Sequence, residues 1–232
     1  MCGAVRISKY RVNKTDAETE VAARLNTLVL SGVCPNILLT FGAVTIEQKS
    51  LMYLEAAHCT LLEYVRTARP SAEHVASLAL QGLLAFIAIT RRAHHCLGDT
   101  HWNNQLIALT KPGGVWRYRL QERDIYIPNL GAMLLSSDAG SLRNEHCEWK
   151  TIIKFTCGDW PNREEKTWAA VQDRYEDTPW LDQLLVTTRS GLLGTDLLQA
   201  THAFIDGLVD LGFQLNESGA GVLNSKPFNI LD

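Results

Sequence analysis

Three side chains in this sequence have the types and positions to hold a divalent cation on a phosphate. Asp99 and Asn104 lie five apart in the polar segment His94–Ile107, which links a long apolar run to a strand-length one. Asp138 follows directly on the apolar run Met133-Leu134-Leu135 and its two serines, with Gly140 two residues later. An aspartate, an asparagine and a second aspartate at strand–loop junctions suit Mg²⁺, which takes one or two carboxylates and fills its shell with phosphate oxygens and water. Phosphoryl transfer asks little more of a protein than positioned metal, a base and charge stabilisation. Asp and Asn are also ordinary turn residues that bond their own backbone, so the elements around them decide between the two readings.

Other candidate clusters are poorer. His94, His95, Cys96 and His101 lack the paired spacings of a closed zinc site, and His146-Cys147 with Cys157 is weaker still. Ser190-Gly191-Leu192-Leu193-Gly194 has glycines near a helix start but no Lys-Ser/Thr and no preceding strand. It reads as a loop, capped at Thr195 or Asp196.

The elements that must position Asp99 and Asn104 follow from periodicity. Ala4–Ile7 is a strand candidate, and Thr15-Asp16-Ala17-Glu18 has the form of a capping box opening a helix. That helix runs through Val21, Ala22, Leu25, Leu28 and Val29 and stops at Gly32. Ile37–Phe41 and Leu51–Leu54 read as an antiparallel strand pair. After Pro70-Ser71, a wide apolar face through Val75, Leu78, Ala79, Leu83, Phe86, Ile87 and Thr90 predicts a central buried helix. Gln105–Leu109, Trp116–Leu120, Ile125–Ile127 and Met133–Leu135 are strand candidates. The remainder, from about Glu145, reads mainly as helix, including Leu192–Leu211.

In this order the motifs resemble those of the protein-kinase-like superfamily, in a divergent form similar to kinases of large DNA viruses. Asp99-Thr100-His101-Trp102-Asn103-Asn104 is similar to the catalytic loop D-x-H-x-x-N, and Asp138-Ala139-Gly140 to the metal-binding D-F-G. Cys34-Pro35-Asn36-Ile37 resembles h-P-N-I, Leu51–Ala57 the fifth strand and hinge, and Leu61-Leu62-Glu63-Tyr64 the next helix start. Leu223–Phe228 resembles the tails of the viral members. The resemblance implies an α+β, bilobal kinase-like fold, with an abbreviated N-lobe over residues 1–57 and a helical C-lobe over 58–232. It implies ATP and Mg²⁺ as cofactors, with Asp99 the catalytic base and Asn104 and Asp138 the metal ligands. Arg6 or Lys9 would contact phosphate, Glu18 or Glu20 would orient that cation, and the backbone of Glu55 and Ala57 would meet adenine.

The sequence departs from the family in named places. The strands of the Gly-rich loop are absent before Ala4, Arg6 stands where the family has lysine, and Leu97 where it has histidine. Arginine's planar fork has a different reach from an ammonium group. Little chain separates Asp138 from the next helix, and no A-P-E follows. The reading is therefore a phosphotransferase acting on a hydroxyl, Ser/Thr of a protein first. A pseudokinase scaffold and a small-molecule phosphotransferase of the aminoglycoside or choline kinase type are the alternatives. The partner is a protein substrate or binding protein.

Composition sets outer limits. The 232 residues are 46% hydrophobic and 20% charged, enough for a sizeable core. A net charge of −3 argues against bulk binding to nucleic acid or anionic membrane. The run Ala79–Ile89 is interrupted by Gln81 and falls short of the roughly 20 residues that span a bilayer. The N-terminus has no apolar segment of the secretory kind. Six scattered cysteines without a CxxC pair suit reduced thiols in an intracellular, cytoplasmic compartment, which for a viral protein means virion or host cytoplasm.

Overall fold

The computed structural model describes residues 3–8, 12–46, 49–95, 97–137, 151, 154–156, 167–175, 178–179, 183, 196–217 and 221–232. Strand β1 (Gly3–Ser8) is followed by helix α1 (Val12–Leu30), then strands β2 (Thr40–Ile46) and β3 (Lys49–Glu55). They form an antiparallel sheet in the order β1-β3-β2, with Arg6 opposite Met52. Ala22, Leu25 and Leu28 make the buried stripe of α1. The helix begins a turn before the capping box, so Thr15 lies inside it rather than at its start. It ends where expected: Gly32 is left-handed, at φ 74°, and the amides of Val33 and Cys34 both donate to Leu28 O.

The expected strand Ile37–Phe41 is only partly one. Pairing with β3 begins at Thr40, because Ile37 and Leu38 are drawn into the core and pair instead with Ser136, far along the chain. Cys34 is fully buried beside them, and burial pushes its thiol up to about 12. Cys34 and Cys59 are both free thiols.

Strand β4 (Cys59–Thr60) leads into helix α2 (Leu61–Ala68), which Thr60 caps by accepting from the Glu63 amide at 3.1 Å. Helix α3 (Ala72–Arg92) starts at Ser71, whose hydroxyl accepts from the His74 amide. From His74 to Ile89 every residue is buried, as the periodicity predicts for a central helix. The apolar run inside it is short, yet α3 as a whole has the length and composition to cross a membrane. Since 89% of its apolar window is buried within the protein, it reads as a core helix.

Strands β5 (Gln105–Leu109) and β8 (Ala132–Ser136) pair antiparallel and, with β4, form a second sheet in the order β4-β5-β8. Strands β6 (Val115–Leu120) and β7 (Arg123–Pro128) form the hairpin inserted between them. Its third partner, β9 (Phe228–Leu231), lies parallel to β6, and just before it Asn224 bonds the Arg117 N–H and C=O at 2.9 and 2.8 Å. Gly114 makes this possible: a Cβ there would meet Gly221 O at 2.6 Å. The second part thus holds, beside its helices, the strands expected around Gln105–Leu109, Trp116–Leu120, Ile125–Ile127 and Met133–Leu135, and adds β4 and β9, the latter pairing along the open edge of β6. Helix α4 (Leu197–Asp210) packs against α3 and is capped by Asp196, whose carboxylate accepts from the Gln199 amide at 2.8 Å. The residues expected to open it, 192–195, lie outside the described ones, as do 190–191.

His74 carries a pH dependence. Its ring meets Tyr64 edge-on at 5.7 Å, its Nε2 has no hydrogen-bond partner among the described residues, and burial lowers its pKa. The folded chain then binds fewer protons there than the unfolded one, so stability is lost as pH falls through the unfolded value of about 6.5. Urea denaturation from pH 8 to 5 is expected to show this decline, and His74→Phe to flatten it.

Candidate functional site

The segment after α3 is held by its backbone oxygens. Ala93 ends the helix with its amide on Ile89 O, and His94 turns the chain in the left-handed region at φ 54°. Leu97 is buried in the core. The Leu97 carbonyl then accepts from the Thr151 hydroxyl at 3.2 Å, and the Gly98 carbonyl from Lys154 Nζ at 2.5 Å. The Asp99 carbonyl accepts from Asn104 Nδ2 at 2.9 Å, and that of Thr100 from Gln105 Nε2 at 3.4 Å. The His101 carbonyl takes the Asn104 amide at 2.8 Å, closing a single 3₁₀ turn over Trp102–Asn104. Every carbonyl from 97 to 101 is therefore engaged, so the loop has little freedom to reorganise. Trp102 is fully buried and tilted against Phe155 at 6.1 Å, which anchors the turn in the core.

On this pinned backbone the Asp99 side chain remains 24% exposed. His101 Nε2 stands 3.5 Å from its Oδ2, with the ring largely buried. Asn104 ties the two sequence-predicted residues together, since its side-chain nitrogen donates to the Asp99 carbonyl. The Asn104 carbonyl accepts from both the Ser137 amide, at 3.1 Å, and the Ser137 hydroxyl, at 2.6 Å. The chain is thus fixed against Asn104 one residue before Asp138, and Asp138 itself lies outside the described residues.

The other expected residues fall as follows. Glu55 ends β3; its amide donates to Leu39 O at 2.8 Å, and its carboxylate accepts from the Leu39 amide at 3.3 Å. Its amide is therefore occupied within the protein. Ala57 lies in the link from the first sheet to the second, where the next amide, of His58, donates to Ile107 O at 2.7 Å. No backbone hydrogen bond to another described residue engages Ala57. Arg6 stands in β1, and Glu18 lies within α1. Glu20 turns to the exposed side, where its carboxylate pairs with Arg24 at 2.5 Å, so its charge is used locally. Lys9 lies outside the described residues.

His101 beside Asp99, and the latch formed by Thr151 and Lys154, were not legible as site residues. The D-x-H spacing gave a signal for the first; Thr151 and Lys154 lie some fifty residues away with none. Among the described residues no three His, Cys, Asp or Glu side chains converge on one point. Cys96, Cys147 and Cys157 lie outside the described residues. No protein-family model matches the chain, and no curated protein is similar to it.

Asn104→Ala removes the donor to the Asp99 carbonyl. It is expected to cost about 1–2 kcal/mol in urea denaturation, the penalty for a part-buried backbone acceptor left unpaired.

Proposed function

We propose that the chain is a kinase-like phosphotransferase, moving a phosphoryl group from ATP to a hydroxyl with Mg²⁺, and that the acceptor is a Ser or Thr of a protein. The observation that carries the reading is the bond from Asn104 Nδ2 to the Asp99 carbonyl, with Ser137 on the carbonyl of Asn104. It brings a candidate base, a candidate metal ligand and the approach to Asp138 into one pinned unit. The sheet order β1-β3-β2 with α1 after its first strand, and the short link from β3 to β4, support a bilobal arrangement divided near residue 57.

The donor set fits Mg²⁺. An amide oxygen from Asn104 and a carboxylate from Asp138 are hard oxygen ligands, and Mg²⁺ keeps several sites for water and phosphate. When bound, the metal would neutralise phosphate charge as the transfer proceeds. The protein's own part is narrower. The Asp99 carboxylate would accept the hydrogen bond of the acceptor hydroxyl and take its proton as the new O–P bond forms and the bond from the γ-phosphorus to the bridging oxygen breaks, releasing ADP. Arg6 or Lys9, oriented by Glu18, would contact phosphate, and the Ala57 backbone would meet the adenine edge. An intracellular location follows from the nucleotide requirement.

Two other readings have specific support. Leu97, buried where the resemblance expects a histidine, favours a scaffold that binds without chemistry. His101 at 3.5 Å from Asp99 favours a small-molecule acceptor, since D-x-H-x-x-N resembles that branch. Incubation with radiolabelled ATP and protein, aminoglycoside or choline acceptors separates the three. Asp99→Asn is expected to lower transfer by at least ~100-fold, the usual worth of a general base, with the melting temperature retained. Equal transfer by this variant removes the assignment.

A further inference from the structure

Strand β2 is an outer strand of the first sheet, and its free edge is finished only at one end. At Thr40 the side chain of Asn26, on α1, stands in for a neighbouring strand. Its Nδ2 donates to the Thr40 carbonyl at 2.6 Å, and its Oδ1 accepts from the Thr40 amide at 3.0 Å. Beyond Thr40 the backbone is uncovered. The Glu55 amide bonds Leu39 O, which turns the odd-numbered backbone groups of β3 toward β2. Tyr53 stands opposite Gly42, Leu51 opposite Val44 and Lys49 opposite Ile46, so the backbone groups of Gly42, Val44 and Ile46 face β3. Ala43 and Thr45, between them, turn N–H and C=O outward, where no other described residue bonds them.

The side chains do not protect this edge. Open edges of soluble proteins carry lysine, proline or an inward-pointing charge against pairing. The β2 sequence Thr-Phe-Gly-Ala-Val-Thr-Ile has none of these. Val44 is 39% exposed and Ile46 53%, and Tyr53 beside them on β3 is 44% exposed, whereas Met52, on the opposite face, is buried. Gly42 leaves a gap in this surface. Its φ is outside the left-handed region, and a Cβ built on it would meet nothing within 4 Å. Neither the bulge beside it nor packing within the chain therefore demands a glycine. A glycine inside a strand also marks places where another group approaches closely.

We propose that β2 is a dimerisation edge, which takes β2 of a second copy of this chain in antiparallel register about a two-fold axis at Val44. The edge itself specifies that occupant. With Ala43 and Thr45 facing outward, Ala43 of each copy meets Thr45 of the other, and each such pair exchanges two backbone hydrogen bonds. The same register sets Val44 against Val44 at the closer, non-hydrogen-bonded spacing. It also sets Ile46 of each copy against Gly42 of the other, which has room for it. A two-fold pair brings like charges together near its axis, and β2 has no charge to repel itself. Gly42–Ile46 is a short contact, at the low end of specific interfaces below ~1,200 Å², so the expected affinity is micromolar. Assembly closes at two copies, because both β2 edges are used. The proposal is independent of phosphoryl transfer.

Sedimentation velocity of the wild-type chain, from micromolar to sub-millimolar concentration, is expected to show a rise from the monomer toward twice its mass. Val44→Lys and Val44→Glu each set like charges face to face at the axis. Either is expected to weaken association at least ~10-fold, with far-UV circular dichroism and Tm retained because Val44 is exposed. Mixed in equal amounts, the two variants are expected to recover a dimer, since only the register with Val44 against Val44 brings their opposite charges together. Ala43→Pro, which removes an outward N–H and no bond to β3, serves if a charge at position 44 disturbs the fold; it is expected to be monomeric.

A wild-type chain that stays monomeric at sub-millimolar concentration overturns the proposal and leaves the edge to a strand of another protein. Association that survives the charge variants, or a mixture of the two that stays monomeric, overturns the β2 register.

Discussion

Helix α3 is shielded from water along its middle turns, and that constraint organises the rest of the molecule. A helix with no solvent face needs apolar neighbours on every side, so α1, α4, β8 and β9 all pack against it. The same burial forces its polar members to be matched. Ser77 donates to the Pro128 carbonyl at 3.2 Å, and Gln81 finds the Leu134 amide and Asn36. A single glutamine in an apolar helix thereby fixes where a β-strand sits, because leaving it unpaired would cost more than aligning its partners.

The Asp99 segment follows the same accounting on its backbone. Its successive carbonyls are taken up by side chains of Thr151, Lys154, Asn104 and Gln105, groups spread over some fifty residues. With the backbone held on one side, the Asp99 carboxylate and the His101 ring share the other. A carboxylate held this way needs little reorganisation as charge develops, which is what the proposed transfer would require of it.

How much of this was legible in the sequence depends on the range of the interactions. Helix α3 and strands β5 to β8 were readable because their periods are local, with Ser71 marking where α3 starts, whereas the start of α2 at Leu61 was read from the resemblance alone. The five-residue spacing of Asp99 and Asn104 was read as letting both face one site, and the short range of the Asn104 Nδ2 bond to the Asp99 carbonyl is of the kind such spacing makes legible. Ile37 and Leu38 misled because their apolar character served the core and a distant pairing with Ser136 rather than the neighbouring strand. β9 went unread because what makes it a strand is the open edge of β6, more than a hundred residues earlier. Spacing favoured Glu18 over Glu20 as the orienting glutamate, and the exposed pairing of Glu20 with Arg24 is a local contact that no periodicity announces. Gln81 was noticed only as an interruption of an apolar run, and its partner Asn36 only as part of a motif.

The central claim is that the unit of Asp99, Asn104 and the end of β8 receives a nucleotide with its metal. Thermal unfolding of the wild-type chain with millimolar ATP, with and without Mg²⁺, tests it most directly. A ligand that binds only the folded state raises stability by RT ln(1 + [L]/Kd). The account predicts a concentration-dependent rise in Tm with ATP that increases when Mg²⁺ is added. No rise at millimolar ATP, or a rise indifferent to Mg²⁺, would contradict it.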